Sequence, residues 1–257
     1  MNTNLIFLLI LGSLVGASSG YLGSFMVLKR MSLVGDALSH VALPGIAIAL
    51  TFGINPMLGA ILALTLAIIG VWFLGEKSQA YPEALVGIFF TGSLALGILI
   101  TPEPEMFEAL FGDIDKVTNF DGLIIILGAL LIFILTKLIS KKLMLGIVSD
   151  DLVKAQKINI SKINLVYLLL VGLVVALGVK FLGTLLTGAL VIIPAVSARN
   201  ISNSIKSFQM FSIIFGIVSI VLGIIIARFI NLPTGPVVVL VSIFLFLFSF
   251  LLLYGKH

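Results

Sequence analysis

The sequence contains no cysteine. That absence excludes disulfides, thiolate metal sites and cysteine nucleophiles. Charge is nearly as scarce. Asp, Glu, Lys and Arg make up 10% of the 257 residues, against about 25% in a soluble domain. So few charges do not wet a globular surface. With 60% hydrophobic residues and a mean hydropathy of +1.30, the chain reads as an integral membrane protein. Histidine occurs only at His40 and the terminal His257, the latter read as a tail residue without a ligand role. The net charge of +4 is spread over many loops, so no nucleic-acid surface is expected.

The apolar runs are long and continuous, which fits membrane helices of about 20 residues and not the alternating pattern of a membrane barrel. They lie at 4–28, 32–53, 56–74, 82–101, 121–139, 163–180, 182–198, 208–230 and 236–254. The run at 182–198 is short and holds Pro194, so the span count is eight or nine. The expected fold is an all-α, polytopic bundle forming one domain over residues 1–257. No basic residue precedes the first run, and the first one is Lys29. That run is therefore read as a retained helix and not as a cleaved leader.

Basic residues set the orientation. With Lys29 and Arg30 in the cytoplasm and nine alternating spans, 12 of the 15 Lys and Arg residues fall inside and Lys116, Lys180 and Arg228 outside. The N-terminus is then outside and the C-terminus inside. The outer loop at 101–122 carries Glu103, Glu105, Glu108, Asp113, Asp115 and Asp121. It reads either as a solvated loop or as a negative mouth that concentrates cations. The inner loop at about 140–162 reads as a short helix capped by Ser149 or Asp150, an obvious surface for a cytoplasmic partner. Gly12, Gly16 and Gly20 form a small-residue stripe suited to close helix packing.

The strongest chemical signal lies in the second run, MSLVGDALSHVALPGIAIAL, Met31–Leu50. Asp36 and His40, spaced i, i+4, share one helix face deep in an apolar segment. A carboxylate at mid-membrane costs roughly 2.5–3.5 kcal/mol on insertion scales, and such residues by default mark function. Pro44 and Gly45, one turn on, weaken the helix and free backbone carbonyls at that depth. One imidazole and one carboxylate are half a site for Mn, Fe or Zn, and a two-fold dimer would complete it. Ser39 and Ser32 are expected to support these ligands by hydrogen bonding. Two other readings stand beside this one: an intramembrane enzyme using Asp36 as acid or base, and a buried pair that only packs helices. No HExxH or GxSxG site is present. GVWFLGEKS (Gly70–Ser78) misses the phosphate-loop pattern, because Glu76 separates Gly75 from Lys77. Any ATP use therefore needs a second chain.

Several stretches together resemble the membrane permeases of bacterial ATP-binding-cassette importers for manganese, zinc and iron. They are VLKRMSLVGDALSHVALPGIAIA (Val27–Ala49), YPEALVGIFFTGSLALGILI (Tyr81–Ile100), FGDI (Phe111–Ile114), DDLVKAQKINI (Asp150–Ile160), GTLLTGALVIIPAVSA (Gly183–Ala198) and LPTGPVVVLV (Leu232–Val241). Where that family often has Ala-x-x-Gly in the inner loop, this chain has Ile158 after Ala155-Gln156-Lys157. The resemblance implies a type II-like permease in the cytoplasmic membrane, itself no enzyme and holding no permanent cofactor. It implies a second copy of the chain, two ATPase subunits inside and a metal-binding protein outside. It further implies that Asp36 and His40 line the path of a transported Mn, Zn or Fe ion. Asp150, Asp151, Ala155 and Gln156 would then contact the ATPase. A transporter of some non-metal solute remains a further alternative.

Overall fold

The computed structural model describes residues 5–78, 80–100, 109–148, 153, 156 and 158–254. Among them the chain forms ten α-helices and one short 3-10 turn. The helices are α1 Leu5–Leu28, α2 Ser32–Val41, α3 Leu43–Thr51, α4 Pro56–Lys77 and α5 Pro82–Ile100, followed by the turn Ile114–Lys116. Then come α6 Asn119–Val148, α7 Ile160–Leu182, α8 Thr187–Ile201, α9 Ile205–Ile230 and α10 Thr234–Tyr254. With α2 and α3 counted as one broken span, eight segments are long and apolar enough to cross a membrane. Glu103, Glu105, Glu108, Asp150, Asp151, Ala155 and His257 lie outside the described residues. Gln156 is exposed in a turn.

Local chemistry sets several helix ends. Asn55 caps α4, its side chain accepting the Met57 N–H at 2.8 Å, with Pro56 at the first helical position. Asn231, at φ 52°, closes α9 in the left-handed region that Asn tolerates. Gly183, at φ 74°, ends α7, and its bare backbone lies against the Leu110 carbonyl. No β-carbon fits there.

Two boundaries differ from the pattern of apolar runs. Helix α6 continues past residue 139 to Val148, because Ser140-Lys-Lys-Leu-Met keeps good helix formers after the apolar run stops. The first third of the expected inner loop is therefore helix. The short segment starts at Thr187, not 182, and runs unbroken through Pro194. At 15 residues it is roughly 22 Å long. It nevertheless changes sides. It begins beside Ala109–Leu110, where Thr184 and Leu185 donate backbone N–H groups to those carbonyls at 2.9 and 3.1 Å. It ends next to the start of α9, whose far end bears Arg228, paired with Asp115 at 2.5 Å. Enclosed by α1, α2, α9 and α10, it makes a ninth crossing shorter than a lipid-facing helix could be.

The bundle has two unlike ends. One gathers Lys29, Arg30, Lys77, Lys162, Arg199 and Lys206, and is called here the basic end. The other holds Asp113, Asp115 and Asp121, the acidic end. At the acidic end Asp121 is fully buried. Its carboxylate accepts from the Asn55 amide at 2.6 Å and from the Thr118 N–H and hydroxyl at 2.8 and 2.9 Å, so its burial is compensated. At the basic end the first turns of α7 are tied to two neighbours. Lys29 of the α1–α2 turn donates to Asn164 at 2.6 Å and lies 5.0 Å above the Tyr167 ring, and its burial pushes the ammonium below the ordinary lysine range. The Trp72 indole donates to Ser161 at 2.7 Å, and Ser161 donates to Glu76 at 2.6 Å.

Packing between α1 and α9 rests on small residues. A methyl on Gly16 would collide with the Gly216 carbonyl, and one on Gly20 with the Ser212 carbonyl. Lipid supplies little hydrophobic drive between helices, so this closeness supplies the van der Waals contact that holds them. Gly20→Val is expected to cost about 1–3 kcal/mol by overpacking. Thermal unfolding of the detergent-solubilised protein should show a melting temperature several degrees lower, and an unchanged one would mean that these helices do not meet as described.

Candidate functional site

Helix α2 carries Asp36 and His40 on one face, together with Leu33 and Ala37. Their spacing of three and four residues places them in one stripe. The fold leaves this stripe uncovered. Leu33 is 81% exposed, Asp36 is exposed and His40 is half-buried. Among the described residues no donor bonds the Asp36 carboxylate. The His40 Nδ1 is buried and has no hydrogen-bond partner there. An orphaned polar atom of this kind costs about 1–3 kcal/mol.

Pro44 explains the break beside the site. In an uninterrupted helix residue 44 would donate its N–H to the carbonyl of residue 40, and proline has none. The helix turns at Ala42, and the His40 carbonyl accepts the Ala42 N–H instead. The expected weakening of the helix therefore falls on His40 itself. The His40 ring is also held from the side by Phe90 of α5, in an edge-on contact with centroids 5.3 Å apart.

The first turn of α8 closes the site from behind. A methyl on Gly188 would lie 2.6 Å from the Asp36 Cα and 2.9 Å from its nitrogen, so only glycine allows α8 and α2 to touch here. The first N–H groups of a helix lack intrahelical partners and carry partial positive charge. The head of α8 stands against the Asp36 backbone.

The two serines are placed differently from one another. Ser39 is fully buried, and its hydroxyl donates to the Asp36 carbonyl at 2.7 Å, the back-bond usual for serine inside a helix. Ser32 opens α2 and lines a cavity toward the basic end with Arg30 and Glu83. No group of three or more His, Asp or Glu residues is found among the described residues. One chain thus offers one carboxylate and one imidazole, half of a four-coordinate site. Phe90 and Gly188 were not legible in the sequence as site residues, since each matters only through a helix crossing.

Comparison with known proteins agrees with this architecture. The model of the ABC 3 transport family matches residues 1–253. The manganese transport system membrane protein MntC of Listeria innocua is 32% identical over 92% of this chain and 86% of its own length. The high-affinity zinc uptake system membrane protein ZnuB of Haemophilus influenzae is 33% identical over 94% of each. Among solved structures, PsaBC from Streptococcus pneumoniae in complex with Fab superposes with a TM-score of 0.83 at 32% identity, over 95% of this chain and 89% of that one. An ABC transporter in an inward-facing conformation shares the fold with a TM-score of 0.77 at 20% identity, over 98% and 86%. The motifs in the sequence, the helical bundle with its eight long apolar spans, and these matches over nearly the whole chain converge: the protein is a multi-pass membrane permease and belongs to the ABC 3 transport family.

Proposed function

We propose that this chain is the permease subunit of an ATP-driven importer that carries a divalent transition metal, manganese, zinc or iron, across the cytoplasmic membrane. The observation that carries this reading is the uncovered α2 stripe, where an unbonded Asp36 carboxylate and an orphaned His40 nitrogen share an apolar span. A structural pair would bond to its surroundings, whereas a transport ligand has to stay free for its cargo. Relatives named for manganese and zinc transport support the metal. The enzyme alternative finds less support, because the serine nearest Asp36 spends its hydroxyl on a backbone carbonyl.

In this mechanism the chain works as a homodimer with the two α2 stripes facing across the axis. Asp36 supplies anionic oxygen and His40 neutral nitrogen, and two copies complete four ligands. The acidic end faces outward, as the distribution of basic residues requires. There it receives the ion from an extracytoplasmic metal-binding protein. A separate ATPase docks at the basic end on the loop containing Asp150, Asp151, Ala155 and Gln156. The loop leads directly into α7. The Ser161–Trp72–Glu76 and Asn164–Lys29 contacts then pass its movement to α4 and α1.

Elemental analysis of cells carrying the permease with its partners tests the site. Wild type should raise one metal, while Asp36→Ala and His40→Ala, at equal membrane levels, should fall at least about tenfold, toward cells without the permease. Normal accumulation by either variant would remove that residue from the path. Because the chain has no cysteine, the axis can be tested independently. Leu33→Cys, on the α2 stripe, should form a disulfide-linked dimer in membranes under mild oxidant, and Leu127→Cys, exposed on α6, should not. A missing dimer band at position 33 would take α2 off the axis.

A further inference from the structure

A second carboxylate stands between the same two helices, nearer the basic end. Helices α2 and α5 run in the same direction, and the contact of His40 with Phe90 sets their register. Asp36 lies four residues before His40, and Glu83 seven before Phe90. At ~1.5 Å per residue, Glu83 sits roughly 4–5 Å beyond Asp36 toward the basic end. There the helices part around a cavity of 290 Å³. Leu33 and Ala37 of the Asp36–His40 stripe form one wall, Glu83 and Gly87 of α5 the other, and Arg30 and Ser32 its mouth. Gly87 leaves the α5 wall bare: a methyl there would meet nothing within 4 Å. The Glu83 side chain is exposed, and among the described residues neither the Glu83 nor the Arg30 side chain has an ion-pair or hydrogen-bond partner.

We infer that Glu83 is the release ligand of this permease, a carboxylate that accepts the divalent cation leaving Asp36 and His40 and delivers it to water at the basic end. This rests on the transport reading given above. A dication leaving two ligands through a wall of Leu33, Ala37 and Val86 meets no anionic group until water unless Glu83 is there. The other polar groups on the lining are the neutral Ser32 and the cationic Arg30. One anionic oxygen about a helical turn further on splits that barrier into two smaller ones. The site must also let go, since conduction requires binding weak enough to leave. A single carboxylate with Arg30 across the cavity meets that need, because the guanidinium opposes a cation that lingers. Position in the first turn of α5 also suits a carboxylate through the helix dipole, but that role predicts a loss of stability and no effect on release.

The permease, assembled with its ATPase in liposomes that enclose a metal-sensing dye and supplied from outside with its metal-binding protein for the uptake measurement, separates holding from release. Manganese or zinc bound per complex is measured without ATP, and uptake with ATP. Glu83→Gln should lower uptake about tenfold, the change that ~1.4 kcal/mol of barrier produces. Bound metal should change by less than about twofold and the melting temperature should stay the same, while Glu83→Asp should recover most of the uptake. The inference is overturned if Glu83→Gln transports normally, if it loses bound metal in parallel, or if it melts earlier. Arg30→Gln should transport at least as fast as wild type, and a loss equal to that of Glu83→Gln would instead make the two a latch. A wild-type complex that neither binds nor moves metal would defeat the transport reading itself, a result distinct from all of these.

Discussion

A hydrocarbon interior offers no water to a polar group, and each peculiarity of this fold answers to that fact. Backbone is helical wherever lipid can reach it. Where it is not, another segment supplies the missing bonds, as Ala109 and Leu110 do for Thr184 and Leu185. The buried Asp121 carboxylate accepts three hydrogen bonds. Against this background Asp36 and His40 stand out for what they lack. Other buried hydroxyls, such as those of Ser19 and Tyr167, also lack a partner, but among the described residues His40 is the only titratable member of that set that shares a helix stripe with an unbonded carboxylate.

Packing follows from the same solvent. Burial of apolar surface drives little between helices in lipid, so closeness has to. Helices α1 and α9 approach through Gly16, Gly20 and Gly216, and α8 reaches α2 through Gly188. The last contact joins architecture to chemistry, since the residue that admits α8 is the one that sets a helix N-terminus against the Asp36 backbone. A scaffold built this way is stiff along its glycine seams. Helix α5 presents most of its surface outward and bears Phe90, against the His40 ring, and Glu83, on the cavity beside the α2 stripe.

Much of this was legible in the sequence, for identifiable reasons. Long apolar runs report lipid contact directly, so the spans fell close to their places. Spacing placed Asp36 with His40, and Pro44 announced the break beside them. Hydropathy reports lipid and not helix, which is why the polar continuation of α6 to Val148 escaped it. The start of α8 was displaced because Gly183 takes its left-handed turn against Leu110, a partner far along the chain. Ser39 shows the limit from the other side. Its place three residues after Asp36 suggested support for the ligands, yet a helical serine has a carbonyl three residues back within easy reach. Phe90, Glu83 and Gly188 depend on which helices neighbour α2, and no local pattern encodes that.

The shortness of α8 has a mechanical consequence. A helix of roughly 22 Å cannot by itself bridge a hydrocarbon layer of about 30 Å. The remaining depth at the acidic end is bridged by the non-helical residues 183–186, whose Thr184 and Leu185 N–H groups are taken up by the carbonyls of Ala109 and Leu110 at the end of a helical turn. Pulling the two segments apart would strand amide and carbonyl groups below the membrane surface, at several kcal/mol each. They are therefore bound to travel as one plug. Whatever uncovers the acidic end must swing the loop before α6 and the head of α8 together, and the hinge has to lie beyond both.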